Sequence, residues 1–209
     1  LSRKGANFCV VSSKIKYKNE KKLIKCKNTL SFLKKLGEKK RSLSAAKIIA
    51  VTGSTGKTTI KTILGKILRN YGDTYFSPKS YNNHYGVPLS LSQLQNIHEY
   101  GVFELGMSRA GEIDKLSKLV KPHIGIITNI GEAHIENFKN LKGIANAKAE
   151  IINNVQKGGT IILNRDDKFF NLLKRKAKLR NLNIFSFGKN KKSDMHPISI
   201  KKNEKNITL

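Results

Sequence analysis

The sequence predicts an α/β fold: a mainly parallel sheet with helices on both faces. Two observations carry this. Short continuous apolar runs alternate with amphipathic segments: KIIAV opens at residue 47, GVFELGM at 101 and TIIL at 160, and another strand lies within KPHIGIITNIG, residues 121–131. Strands that read this way are buried on both faces, as in sheets whose crossovers are helices. Polar groups also follow or end these runs at Gly53, Glu104, Asn129 and Asn164. Ligands bind such sheets beyond the carboxyl ends of the strands, so these groups should gather along one edge.

The first 44 residues carry the weakest pattern. ANFCVVS, residues 6–12, reads as a buried strand, and residues 29–40 read as a helix with Leu30, Leu33 and Leu36 on one side and Gly37 near its end. The lysine-rich stretch 38–47 reads equally as a linker or as a charged, solvated loop.

Next comes KIIAVTGSTGKTT, residues 47–59, an apolar strand followed by a glycine turn and a helix opening at Gly56-Lys57-Thr58. Strand, glycine loop and helix in that order are what a phosphate-binding loop requires. Backbone N–H groups from about Ser54 to Thr58 should converge on an anion, helped by the positive end of the helix dipole. Lys57 should reach the β- and γ-phosphates and the Thr58 hydroxyl a Mg²⁺ ion. The spelling departs from G-x-x-x-x-G-K-[ST], because Val51 stands where the first glycine should be and Gly53 supplies the turn. Behind the loop, Ile60, Ile63, Leu64, Ile67 and Leu68 form one helical stripe, with Lys61, Lys66 and Arg69 on the other, wet side.

Tyr71-Gly72-Asp73 stops that helix, and an extended piece begins at Thr74. Polar side chains crowd a turn in SYNNHYGVPLSLSQL, residues 80–94, before an apolar segment at Pro88. Glu104 lies inside the run GVFELGM, where a carboxylate is costly to bury unless a cation meets it. A strand in KPHIGIITNIG leads to a turn carrying Asn129 and His134. A helix over about 141–155 buries Ile144, Ile151, Ile152 and Val155, and Lys148 falls on the same stripe. A strand over 160–163 ends in Asn164-Arg165-Asp166-Asp167, on local chemistry a good turn. Ile198 and Ile200, then Ile207 and Leu209, alternate around KKNEKN as in a hairpin.

Composition bounds the function. The two cysteines, Cys9 and Cys26, make no disulfide framework or metal-binding pair, which suits a reducing compartment. No run of 18 apolar residues spans a membrane and no signal-peptide core opens the chain, so a soluble, cytoplasmic protein is expected. The formal charge is +27, but the lysines are scattered and no aromatic platforms interleave them. With Ile, Lys and Asn all abundant, the charge reads as drift toward A+T-rich coding rather than as a nucleic-acid footprint, although an anionic substrate would be drawn in.

TGSTGKTT, YNNHYGVPLSL, ELGMSRAGEI, TNIGEAHIENF, AKAEI and ILNRDD occur in the order and spacing of the Mur ligases, and the chain resembles that family through about residues 48–167. ELGM followed by GEI favours the member that adds D-alanyl-D-alanine to UDP-N-acetylmuramoyl tripeptide in peptidoglycan synthesis over its neighbour MurE. The resemblance implies a monomeric ATP-dependent ligase acting through an acyl phosphate, with a central ATP-binding domain of the P-loop type at 46–209. Residues 1–45 would be the end of a small α/β UDP-substrate domain. A third domain, which helps close the site, is expected outside this stretch, so this stretch alone is not expected to ligate. By the same resemblance, Gly53, Ser54, Thr55, Gly56, Lys57, Thr58 and Thr59 hold ATP, with Asn83 near the phosphates and Asn164 near the adenine. Thr58 and Glu104 would hold one Mg²⁺, His134 and a carbamylated Lys148 a second, and Lys57, His134 and Lys148 would serve catalysis. Read singly, His134 is a loop histidine, Lys148 a snorkelling lysine and Arg109 a solvated one. Alternatives are MurE, folylpolyglutamate synthase, or a nucleotide- or nucleic-acid-binding module without ligase chemistry.

Overall fold

A computed structural model describes residues 7–14, 16, 22–199, 201–202 and 207–208. The chain opens with a parallel pair, β1 (Cys9–Ser12) and β2 (Leu23–Cys26), followed by α1 (Thr29–Leu43). Then come β3 (Lys47–Thr52), α2 (Lys57–Leu68), β4 (Thr74–Phe76), α3 (Gly86–Ser92), β5 (Tyr100–Glu104), α4 (Glu112–Val120) and β6 (Ile124–Ile127). The series continues with α5 (Leu141–Ala149), β7 (Thr160–Asn164), α6 (Phe170–Leu179) and β8 (Asn183–Phe187), and closes on the short antiparallel pair β9 (Lys201–Lys202) and β10 (Ile207–Thr208).

The sheet is six-stranded in the order β4-β5-β3-β6-β7-β8 and parallel throughout. The pleat splits β3 between two cores: Ile48 and Ala50 join a large one with α3 to α6, while Ile49 and Val51 meet Ile60, Leu64 and Leu68 of α2. Strands after β3 are added on both of its sides, so β3 sits where the winding reverses, and the loop that follows it opens into the crevice such a switch point creates. No helix among the described residues is long and apolar enough to cross a membrane.

Several elements differ from the sequence expectations. The first helix runs through Gly37 to Leu43, so residues 38–43 form neither linker nor loop. Arg41 is buried there and donates to the carbonyls of Val120 and Lys121, which solvate its charge. Gly37 lies in the contact with α3, where a Cβ would stand 2.9 Å from the Pro88 carbonyl oxygen. On α2 the inward face is rotated: Lys61 and Gly65 are buried, whereas Ile63 and Ile67 are about half exposed. Lys61 tolerates this because its ammonium donates to the carbonyls of Ser77 and Lys79, and Gly65 leaves room for the Phe76 ring.

The first strand is only half buried, since β2 is its only strand partner among the described residues, and Ala6 lies outside the described residues. The expected helix over 141–155 ends as an α-helix at Ala149 and tightens to a 3₁₀ turn over Glu150–Asn154, with its inward apolar residues buried as predicted. The terminal hairpin is present as β9 and β10; Ile198 is exposed ahead of it, and Ile200 and Leu209 lie outside the described residues.

Candidate active site

Strand β3 ends at Thr52, and the loop 53–56 turns the chain directly into α2. Gly53 has φ 151°, and a side chain there would run into the Thr128 hydroxyl; Gly56 at φ 77° is left-handed. Both glycines are therefore required by the turn. The loop is braced by the segment after β6. Ser54 N–H donates to Asn129 O (3.0 Å), and the Ser54 hydroxyl bonds both Gly131 O (2.9 Å) and Gly131 N–H (2.7 Å). Thr55 N–H donates to Asn129 Oδ1 (3.0 Å) and Thr128 Oγ1 to Thr55 O (2.6 Å).

This corrects the expectation that all N–H groups from Ser54 to Thr58 face an anion. Those of Ser54 and Thr55 are spent on Asn129, which leaves the free donors at the helix end, Gly56 to Thr59, where an α-helix has no internal acceptors. They coincide with the positive end of the α2 dipole, the stronger anion-binding feature.

Lys57 folds back to donate to Gly53 O (2.9 Å) and Ser54 O (3.2 Å). Burial lowers its pKa from the ordinary lysine value, and the charge of Glu104 opposes that. Glu104, at the end of β5, is 2% exposed. Its partners are neutral: Oε2 accepts from Thr58 Oγ1 (2.8 Å) and Oε1 from Asn82 Nδ2 (2.8 Å). Ser80 Oγ lies 3.1 Å from Thr58 Oγ1. A hydroxyl, a second hydroxyl and a carboxylate thus converge beside the free helix end. Hard oxygen donors of this kind suit Mg²⁺, which keeps several waters and takes phosphate oxygens, so the donor set fits that ion. No cluster of three His, Cys, Asp or Glu side chains placed to hold a metal occurs among the described residues.

Lys148 is 2% exposed and donates to the same Gly53 carbonyl (3.0 Å). Desolvation, with a smaller contribution from the Lys57 charge, lowers its pKa to about 8. A cavity of about 510 Å³ joins Lys57, Lys148, His134 and Asn83 with the loop after β5 and with α4. His134 is left-handed (φ 63°), half exposed, and 3.9 Å from Glu136. Asn83 Oδ1 accepts from Tyr85 and Gly86 N–H, starting α3. Asn164 is a brace: its amide donates to Thr128 O (3.2 Å), while Asp167 accepts from Ile130 N–H (2.6 Å). Arg109 is exposed, and its N–H donates to Glu112.

Sequence reasoning missed Asn82 and Ser80, whose only signal was the polar turn 80–86, and Glu150. The Glu150 carboxylate accepts from Gly111 N–H (2.7 Å) and Asp114 N–H (3.1 Å), holding the start of α4 from the 3₁₀ turn after α5.

A parallel sheet wound both ways from β3, with a glycine loop and Lys-Thr at the opening of α2, defines an α/β domain of the phosphate-loop type. The chain belongs to the Mur ligase family, whose middle domain matches residues 51–209. It is 39% identical over 193 residues to the UDP-N-acetylmuramoyl-tripeptide--D-alanyl-D-alanine ligase of Rickettsia prowazekii, covering 91% of this chain and 42% of that one. Its fold is similar to the UDP-N-acetylmuramoylalanyl-D-glutamyl-2,6-diaminopimelate--D-alanyl-D-alanyl ligase of Acinetobacter baumannii (TM-score 0.81, 36% identity, 91% of this chain and 41% of that one). It is also similar to MurF ligase from Thermotoga maritima in complex with ADP (TM-score 0.81, 29% identity, 99% and 47%). The chain thus spans less than half the length of these relatives.

Proposed function

We propose that the chain is the ATP-binding part of a cytoplasmic ligase that adds D-alanyl-D-alanine to UDP-N-acetylmuramoyl tripeptide in peptidoglycan synthesis. The activities by which the relatives are named support this reading, and one observation carries it: Lys57, at the opening of α2, lines the same cavity as the buried Lys148 and the half-exposed His134. In this reading ATP phosphorylates the terminal carboxylate of the tripeptide, and the amine of D-alanyl-D-alanine displaces phosphate from the acyl phosphate to form the amide. Such transfer rests on positioning and charge neutralisation, so lysines, amide donors and oxygen ligands are the side chains it needs.

Gly53 to Thr59 hold the phosphates, with Lys57 moving from the loop carbonyls to the transferring group and Asn83 beside it; Asn164 lies on the adenine side. Thr58 and Glu104 hold one Mg²⁺, which supplies charge neutralisation on the phosphates. His134 and Lys148 hold a second, Lys148 after carbamylation. A lysine with a pKa of about 8 keeps a minority of neutral amine at pH 7. That amine adds to CO₂ and loses one proton, replacing a cation with an oxygen ligand. Residues 46–209 form this domain and residues 1–45 the end of a substrate domain.

The test combines binding and turnover. Calorimetry should give Mg²⁺-dependent ATP binding that falls at least about tenfold in Lys57→Ala, the loss of one charge-assisted contact. Within a longer polypeptide, the chain should release ADP and form the pentapeptide when given tripeptide nucleotide and D-alanyl-D-alanine. Unchanged ATP affinity in the variant would refute the phosphate-loop assignment.

A further inference from the structure

The cavity extends well beyond the phosphate loop. Its lining also includes Lys34 of α1 and Lys115 of α4, together with Met107, Leu116 and Leu119. Lys57 and Lys148 both donate to loop carbonyls. The ammonium groups of Lys34 and Lys115, in contrast, have no hydrogen-bond or ionic partner among the described residues. Lys34 is half buried and Lys115 exposed at the rim. The neighbouring acid, Glu112, already accepts from the N–H groups of Ser108 (2.6 Å) and Arg109 (3.1 Å), so it is engaged by its own loop.

A cavity that adds two unpaired ammonium groups and several apolar side chains to the lysine of the phosphate loop suits a ligand that is anionic at more than one point. We propose that Lys34 and Lys115 are specificity residues that recognise a second anionic group of the acid substrate, while its reacting carboxylate lies at the Lys57 end. The proposal rests on the ligase reading above and adds a second fixed point to it. One anchored end leaves a flexible peptide free to sample positions, whereas two anchors set the distance of the carboxylate from the phosphate loop. The recognised group is a carboxylate or a diphosphate; a Lys ammonium serves either as a point charge.

The test measures binding of UDP-N-acetylmuramoyl-alanyl-D-glutamyl-2,6-diaminopimelate by calorimetry to the chain within a longer polypeptide that carries the substrate domain, with MgATP affinity and thermal midpoint as controls. K34A/K115A should bind the nucleotide peptide at least about tenfold more weakly while MgATP affinity and midpoint stay as in wild type. K34R/K115R should restore most of the affinity. Two altered ligands identify the source. If the partner is a peptide carboxylate, amidating the non-reacting carboxylates of both D-glutamyl and diaminopimelate removes the difference between wild type and variant; if it is the diphosphate, removing UDP does so. A difference that survives in both ligands, or equal affinity of wild type and K34A/K115A for the intact ligand, overturns the proposal and leaves the ligase reading standing. Absence of binding by the wild type, with MgATP bound normally, overturns both.

Discussion

Single residues divide into those that face the cavity and those that hold others in place, and the sequence distinguished them poorly. Lys57, Thr58 and Glu104 were legible because a glycine loop and a carboxylate inside an apolar run are unusual. The contact between Thr58 and Glu104, 46 residues apart, was beyond any local pattern. Lys148 was legible as inward-facing, since helical spacing alone puts it on the buried stripe. Replacing it with alanine should abolish ligation while sparing ATP affinity. In addition, ¹³C-bicarbonate should give a carbamate signal in wild type that the variant lacks; a signal of equal size in both would rule out modification at this residue.

His123 shows a different effect. Its Nδ1 accepts from Ile48 N–H (2.8 Å) at the start of β3. Burial first, then the charges of Arg41 and Lys47, hold its pKa below the ordinary histidine value. As pH falls, the unfolded chain takes up this proton before the folded one does. The folded state therefore keeps its full stability above about pH 7 and loses it as pH drops below about 6.5 toward the lowered value. His123→Asn keeps an acceptor and does not titrate, so its urea midpoint should change less between pH 7 and pH 5 than that of the wild type.

At the scale of elements, strands were read better than helices. Apolar β-branched runs gave β3 and β7 to within a residue or so and placed β6 within residues 121–131. The helices α4 and α6 and the strand β8 went unread, because lysines are so frequent here that they blur the contrast between wet and buried faces: FNLLKRKAKL carries four cations in one short helix. The same surplus made residues 38–43 look like a linker. What continues α1 is Gly37, a residue that sequence reasoning takes as a stop and packing takes as a gap. Gly37→Leu should push α1 off Pro88 and Leu91 and cost about 1 to 3 kcal/mol in chemical denaturation, despite the better helix propensity. A variant as stable as wild type would mean that α3 yields freely.

For the molecule as a whole, the alternation of apolar strands and helices was enough to predict a parallel sheet, and the polar strand ends were enough to predict that those groups gather along one edge. The order of strands was not legible, since winding direction leaves no local trace. Because β3 pairs with β5 on one side and with β6 on the other, every strand contact it makes is to a segment made much later in the chain. The phosphate loop has the same dependence: Ser54 and Thr55 are held by Asn129 and Gly131, more than 70 residues downstream.

Synthesis therefore delivers the loop long before it delivers what shapes it. A growing chain that has emitted TGSTGKTT, α2 and even β5 still lacks the clamp, and non-local closure of this kind comes late in folding. Nucleotide capture should accordingly switch on in one step with chain length. Ribosome-stalled chains of increasing length should be photolabelled by azido-ATP only after Gly131 has left the exit tunnel, and labelling of chains that expose only α2 would disprove it. Until that moment the growing polypeptide has a nucleotide motif in its sequence but no nucleotide site.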